Sequence, residues 1–230
     1  MSHNSSYKDN KVIICIIFMA RILVFGDSIT AGALDYEEGG WVNRLRKFLD
    51  LKVLVDRKFS YRVYNLGISG DTTEDLIERF EFETKTRLKE PEENIIILEI
   101  GINDSLLFQD KGELSVSAEK TKKNIQKLIK LSRKFTEKFL FIGLSPVYEP
   151  KVNPLPWRKE VSYRNEYIRK YNEIIKSVCK EKNVKFVEIL EEWIRTDYNR
   201  FLEDGVHPNS EGHEKIFEIV KNFLIEKKII

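Results

Sequence analysis

The sequence predicts a single α/β domain, a three-layer α/β/α sandwich built on a five-stranded parallel sheet. Three observations carry that expectation. Apolar, β-branched runs of five to eight residues recur along the chain, and longer segments of helical period separate them. At 230 residues the chain is long enough for one sizeable core, and nothing in it marks a second domain.

The first run, residues 21–25, leads into Gly26-Asp27-Ser28-Ile29-Thr30, after which Trp41, Leu45, Phe48 and Leu49 mark a helix face. The second, residues 61–66, overlaps Asn65-Leu66-Gly67-Ile68-Ser69-Gly70-Asp71-Thr72-Thr73 and precedes a face marked by Leu76, Ile77 and Phe80. The third, residues 94–100, ends at Gly101-Ile102-Asn103-Asp104, and Ile125, Leu128 and Ile129 define the helix beyond it. The fourth and fifth runs are residues 139–144 and 184–189. Tyr167, Ile168, Tyr171, Ile174, Ile175 and Val178 fall at helical spacing between them, and Ile216, Phe217, Ile219, Val220 and Phe223 close the chain. Apolar runs of this kind suit strands covered on both faces, as in a parallel sheet. Five of them fit the flavodoxin-like order 2-1-3-4-5. With the first strand between the second and third, the loops carrying Ser28, Gly67 and Asn103 converge at the carboxyl ends of the strands, where the order reverses.

Residues 145–160 form the one long loop, which holds four prolines and carries Tyr148, Leu155 and Trp157. Long loops in compact domains are often functional, so this one is expected to wall a substrate site.

A third of the residues are charged but the signs nearly cancel, leaving a net charge of +2. That gives no argument for nucleic acid or an anionic membrane as partner. The basic stretch 120–134 is interrupted by Ile125, Leu128, Ile129 and Leu131 at helical spacing and reads as a solvated helix face. Cys15 and Cys179 are too far apart to suggest a disulfide framework, and Cys179, beside Val178, reads as a small core residue. No metal-ligand spacing is present, so neither metal nor cofactor is expected.

Residues 12–20 are an apolar run after Lys8 and Lys11, the length of a signal-peptide core. Phe18 is large for a cleavage site after Ala20, the first strand begins at once, and a bilayer span needs about 20 residues. The expectation is therefore a start at Met19, with residues 1–18 an extension, residues 19–230 the domain, and a cytoplasmic location. Secretion or tethering follows instead if residues 12–20 are a signal or an anchor.

The chemistry lies near the two ends of the chain. A serine hydroxyl is a poor nucleophile until an imidazole takes its proton, and the imidazole works best with a carboxylate fixing its tautomer. Ser28 supplies the hydroxyl, and Asp204-Gly205-Val206-His207-Pro208 supplies the other two groups three residues apart. Of the three histidines, His3 lies in the N-terminal extension and His213 opens the last helix, where packing or capping is expected. Each residue also has a plainer reading: Ser28 as a helix cap or part of a phosphate loop, His207 as a surface histidine, Asp204-Gly205 as a turn.

Taken in order, the four segments resemble the blocks of the SGNH hydrolases, the GDSL lipases and esterases, over about residues 20 to 225. The wording Ile68-Ser69-Gly70-Asp71-Thr72-Thr73 is most similar to the branch containing thioesterase I, arylesterases and lysophospholipases. Ile29 stands where many relatives carry leucine. The resemblance places the family's Ser, Gly, Asn and His on Ser28, Gly67, Asn103 and His207. It implies a serine hydrolase with the triad Ser28, His207 and Asp204 and an oxyanion hole of Ser28 N–H, Gly67 N–H and Asn103. Asp27, Asp71 and Asp104 are expected to hold loops rather than react, and the implied partner is a small acyl ester or thioester. Carbohydrate deacetylation is the alternative within enzymes, and a non-catalytic flavodoxin-like binding module the alternative outside them.

Overall fold

The computed structural model describes residues 18–56 and 58–230. Residues 1–17 of the expected extension, with Cys15 and most of the apolar run 12–20, lie outside the described residues, whereas Phe18, its last expected residue, opens the first strand. In chain order the elements are β1 (Phe18–Gly26), α1 (Ser28–Ala31), α2 (Trp41–Val55), β2 (Phe59–Gly67), α3 (Thr73–Arg87), β3 (Glu93–Glu99), β4 (Leu107–Phe108) and β5 (Glu113–Leu114). They continue with α4 (Ala118–Ser132), β6 (Phe139–Ile142), α5 (Glu149–Val152), β7 (Val161–Ser162), α6 (Asn165–Glu181), β8 (Lys185–Val187), α7 (Leu190–Ile194) and α8 (Ser210–Glu226). Among the described residues no helix is long and apolar enough to cross a membrane.

The main sheet is parallel with order β2-β1-β3-β6-β8, so the five expected strands take the expected sequence. Its first strand starts three residues earlier than predicted, and its last two are shorter. The helices form two groups, α2 against α8 and α3 against α4 against α6, one group for each face of the sheet. That double cover explains the composition of β1 and β3, in which Ile22, Leu23, Val24, Ile95, Ile96 and Ile97 are wholly buried. Phe25 meets Phe80 of α3 with ring centroids 4.8 Å apart, each buried side chain contributing about 1.5–3 kcal/mol. The one charge inside β1, Arg21, is satisfied by Glu92, by the Tyr64 hydroxyl at 3.0 Å and by the Arg87 carbonyl at 2.7 Å.

Helix starts follow their capping residues. Thr72 and Asp75 form a capping box on α3, Ser117 caps α4, and Asn209 caps α8. The basic stretch 120–134 falls mainly on α4, with Ile125, Leu128, Ile129 and Leu131 buried beneath it.

One feature departs from expectation. The long loop 145–160 contains α5 and leads into β7, which joins β4 and β5 in a small antiparallel sheet of order β5-β4-β7. This sheet stands beside the carboxyl ends of the main strands and becomes a wall of the cleft there.

Candidate active site

β1 ends at Gly26, and Asp27 caps α1 by accepting a hydrogen bond from Ile29 N–H at 3.0 Å. Ser28 is therefore the first helical residue rather than the cap. Its Oγ lies 2.9 Å from His207 Nε2, and His207 Nδ1 lies 2.7 Å from Asp204 Oδ2. The three groups are 179 and three residues apart in sequence yet form one hydrogen-bonded chain.

The loop carrying the second and third members is tightly fixed. Gly205 adopts φ 97°, a left-handed conformation that suits glycine, and its carbonyl accepts from Tyr148 N–H at 2.8 Å. Asp204 Oδ1 accepts the backbone N–H groups of Val206 at 2.9 Å and His207 at 2.8 Å. Burial pushes the Asp204 carboxyl upward, but its hydrogen bonds from the His207 ring and from these two N–H groups outweigh that and hold it below the ordinary carboxylate range. Asp204-Gly205 is thus a turn and also the group that orients the imidazole.

The expected oxyanion donors divide. Asn103 Nδ2 donates to the Asp71 carbonyl at 2.9 Å, which leaves its second N–H for the cleft, and Asn103 Oδ1 accepts from the Tyr163 hydroxyl at 2.6 Å. Gly67 does not fit the place given to it. Its N–H donates to Asn65 Oδ1 at 3.0 Å, and it packs on the backbone of Asp27 and Ala31 instead of lining the cleft. Gly70 lines the cleft with Ser28 and Asn103. Among the described residues neither the Ser28 nor the Gly70 backbone N–H has a hydrogen-bond partner. Ser28, Gly70 and Asn103 all line the cleft, so the Ser28 N–H, the Gly70 N–H and Asn103 Nδ2 are candidate donors to a carbonyl oxygen bound there.

Asp27, Asp71 and Asp104 all serve the loops. Asp71 pairs with Arg79 Nε at 2.7 Å, and Arg79 also donates to the Gly26 carbonyl at 3.1 Å, so one guanidinium ties the Gly70 loop to the serine turn. Asp104 accepts from Thr73 N–H, Thr73 Oγ1 and Thr121 Oγ1 at 2.9, 2.5 and 2.8 Å. Burial raises its pKa against those bonds. Asp27 is fully buried, and burial and the nearby Glu99 raise its pKa well above the ordinary range. Glu99 itself accepts from Thr30 Oγ1 at 2.6 Å and Trp41 Nε1 at 2.9 Å, and burial raises it to about 7 despite both bonds. Sequence reasoning missed Glu99, though a carboxylate at the end of the apolar run Ile95-Ile96-Ile97-Leu98 was a visible signal.

His213 is buried, its Nδ1 accepting from Trp41 N–H at 3.3 Å, and burial lowers its pKa to about 4. It packs as expected, as does Cys179, whose thiol burial pushes up to about 12.

A cleft of about 530 Å³ opens over the serine. Leu34, Leu106, Phe108, Leu155, Trp157 and Val206 make its apolar wall, while Arg158 and Tyr163 add polar groups. Of the three loop residues expected here, Leu155 and Trp157 are present. Tyr148 is absent, because its side chain packs on the core and its backbone braces Gly205. A larger groove of about 720 Å³ between α2 and α8 contains none of these residues. Among the described residues no group of three or more His, Cys, Asp or Glu side chains is placed to hold a metal ion.

Comparison with known proteins bears on the family and on the fold. The model of the GDSL-like Lipase/Acylhydrolase family matches residues 24–215. The chain is 27% identical over 202 residues to the esterase TesA of Pseudomonas aeruginosa, covering 86% of this chain and 85% of that one. The crystal structure of a lipase/acylhydrolase from Enterococcus faecalis shares the fold with a TM-score of 0.69 at 21% identity, covering 90% and 96% of the two chains. The acetylxylan esterase Axe2 from Geobacillus stearothermophilus also shares it, with a TM-score of 0.64, 24% identity and coverage of 90% and 93%.

Proposed function

The chain belongs to the GDSL-like lipase/acylhydrolase family and is a carboxylic ester hydrolase, and on that footing we propose that Ser28, His207 and Asp204 cleave an ester or thioester through an acyl-enzyme. The observation that carries this reading is the Ser28–His207–Asp204 chain, at 2.9 and 2.7 Å, opening on an apolar cleft.

The steps follow from the groups. Ser28 Oγ attacks the acyl carbonyl as His207 Nε2 takes its proton, and Asp204 steadies the imidazolium through Nδ1. Ser28 N–H, Gly70 N–H and Asn103 Nδ2 receive the charge that develops on the carbonyl oxygen. Collapse of the tetrahedral intermediate expels the alcohol or thiol, which takes the proton back from His207. Water, deprotonated by the same imidazole, then attacks the acyl-Ser28 carbonyl and releases the acid.

The wall of Leu106, Phe108, Leu155 and Trp157 suits an apolar acyl group, and the cleft volume is that of a small-ligand site. Trp157, 57% exposed where it meets the cleft, favours a second reading, stacking on a sugar whose acetyl ester is cleaved. Hydrolysis of p-nitrophenyl esters from acetate to palmitate, beside acetylated xylo-oligosaccharides, separates the two. Turnover that rises with chain length beyond acetate supports the acyl reading. Acetate-only turnover together with release of acetate from the sugar replaces it with the second.

A further inference from the structure

Tyr163 reaches the oxyanion donors from a different part of the molecule. It follows β7, whose Val161 and Ser162 pair with Phe108 and Leu107 of β4, and its own N–H donates to the Val152 carbonyl at 3.1 Å. The residue is 6% exposed and its side chain lines the cleft. Its hydroxyl donates to Asn103 Oδ1 at 2.6 Å, while Asn103 Nδ2 spends one hydrogen on the Asp71 carbonyl. A carboxamide held at its oxygen and at one N–H has its second N–H direction fixed. Without the phenol, only the Asp71 carbonyl opposes the flipped amide, which would turn Oδ1 toward the developing oxyanion, and the carboxamide keeps one anchor instead of two.

We infer that Tyr163 is a positioning residue of the oxyanion hole: it holds Asn103 with Nδ2 toward the reacting carbonyl and ties that donor to the β5-β4-β7 wall of the cleft. The inference rests on the reading of Asn103 as an oxyanion donor. Tyr163 acts through Asn103 and need not touch the reacting atoms. Burial, reinforced by Asp27, keeps its proton well above the ordinary phenol range, so the hydroxyl remains a donor across neutral and mildly alkaline pH.

The test is Tyr163→Phe, which keeps the buried ring and removes one hydrogen bond. The expected result is a kcat about tenfold lower with KM within about twofold and cooperative melting retained. In an Asn103→Ala background the same substitution is expected to add nothing. A loss carried by KM, or one repeated in full in the Asn103→Ala background, overturns the inference while leaving the hole intact. An Asn103→Ala enzyme of wild-type kcat overturns the donor reading and the inference with it. A crystal structure of the wild-type fluorophosphonate adduct supplies an answer independent of variant folding. The Tyr163 hydroxyl should stay on Asn103 Oδ1 with Nδ2 on the phosphonyl oxygen, and a Tyr163 that has left Asn103 contradicts the proposal.

Discussion

Asp204 grips His207 twice, through Oδ2 on the ring Nδ1 at 2.7 Å and through Oδ1 on the backbone N–H at 2.8 Å. The second contact fixes the loop that the first one uses, so a three-residue spacing is enough to aim an imidazole at Ser28 across the sheet. The relationship also separates the chemical role of Asp204 from its structural one.

Asp204→Asn keeps an oxygen for the backbone N–H groups of Val206 and His207 but turns an NH₂ toward Nδ1, which selects the wrong tautomer. The expected result is unchanged folding with kcat lower by roughly 10²–10⁴. Steady-state kinetics beside a thermal melt checks it. A variant retaining more than about a tenth of wild-type kcat would reduce Asp204 to a turn residue.

Gly67 and Gly70 should respond to alanine in opposite ways. A Cβ on Gly67 would sit 2.3 Å from Ala31 N and 2.7 Å from Asp27 O, forcing the backbone of the serine turn apart, so Gly67→Ala is expected to lower Tm first. Gly70 has φ +88 and open space around it, and alanine there costs about 1–2 kcal/mol of backbone strain that relaxes by shifting the N–H. Gly70→Ala should therefore lower kcat with a modest change in Tm. Wild-type kcat in Gly70→Ala would remove that N–H from the hole.

Glu99 makes stability depend on pH. Its folded pKa of about 7 lies above the ordinary 4.5, so between those values the folded state holds a proton that the unfolded chain has released. Stability from this group is present below pH 4.5 and falls as pH rises to about 7, by at most ~3 kcal/mol. Glu99→Gln keeps an acceptor for Thr30 and Trp41 and removes the titration. Melting temperatures at pH 5, 6, 7 and 8 should show the variant gaining on the wild type as pH rises. Parallel curves would show that Glu99 carries no such load.

Trp157 and Phe108 should set chain-length preference. Trp157→Ala is expected to raise KM for octanoate and longer esters by about three- to tenfold, corresponding to part of a buried aromatic contact, with acetate unaffected. Equal effects on acetate and octanoate would place the indole outside the acyl path.

Much of the fold was legible because a parallel sheet covered on both faces writes its strands as continuous apolar runs, as residues 95–98 show. Ser28, Asn103 and His207 were legible because each sits in a short block at a strand end or in the last loop. Gly67 and Gly70 were confused because they lie three residues apart in one block, and what separates them is a hydrogen bond from Gly67 to Asn65 that spacing does not reveal. The β5-β4-β7 sheet was hidden because strands of two residues leave no period to read. Tyr163 was hidden because its partner is 60 residues away.

Ser28 as the nucleophile of an ester hydrolase is tested by p-nitrophenyl ester hydrolysis with wild type and Ser28→Ala, purified side by side. Wild type should release p-nitrophenol, and the variant should show no turnover above background. Turnover that survives in Ser28→Ala would contradict it and assign the chemistry to another nucleophile.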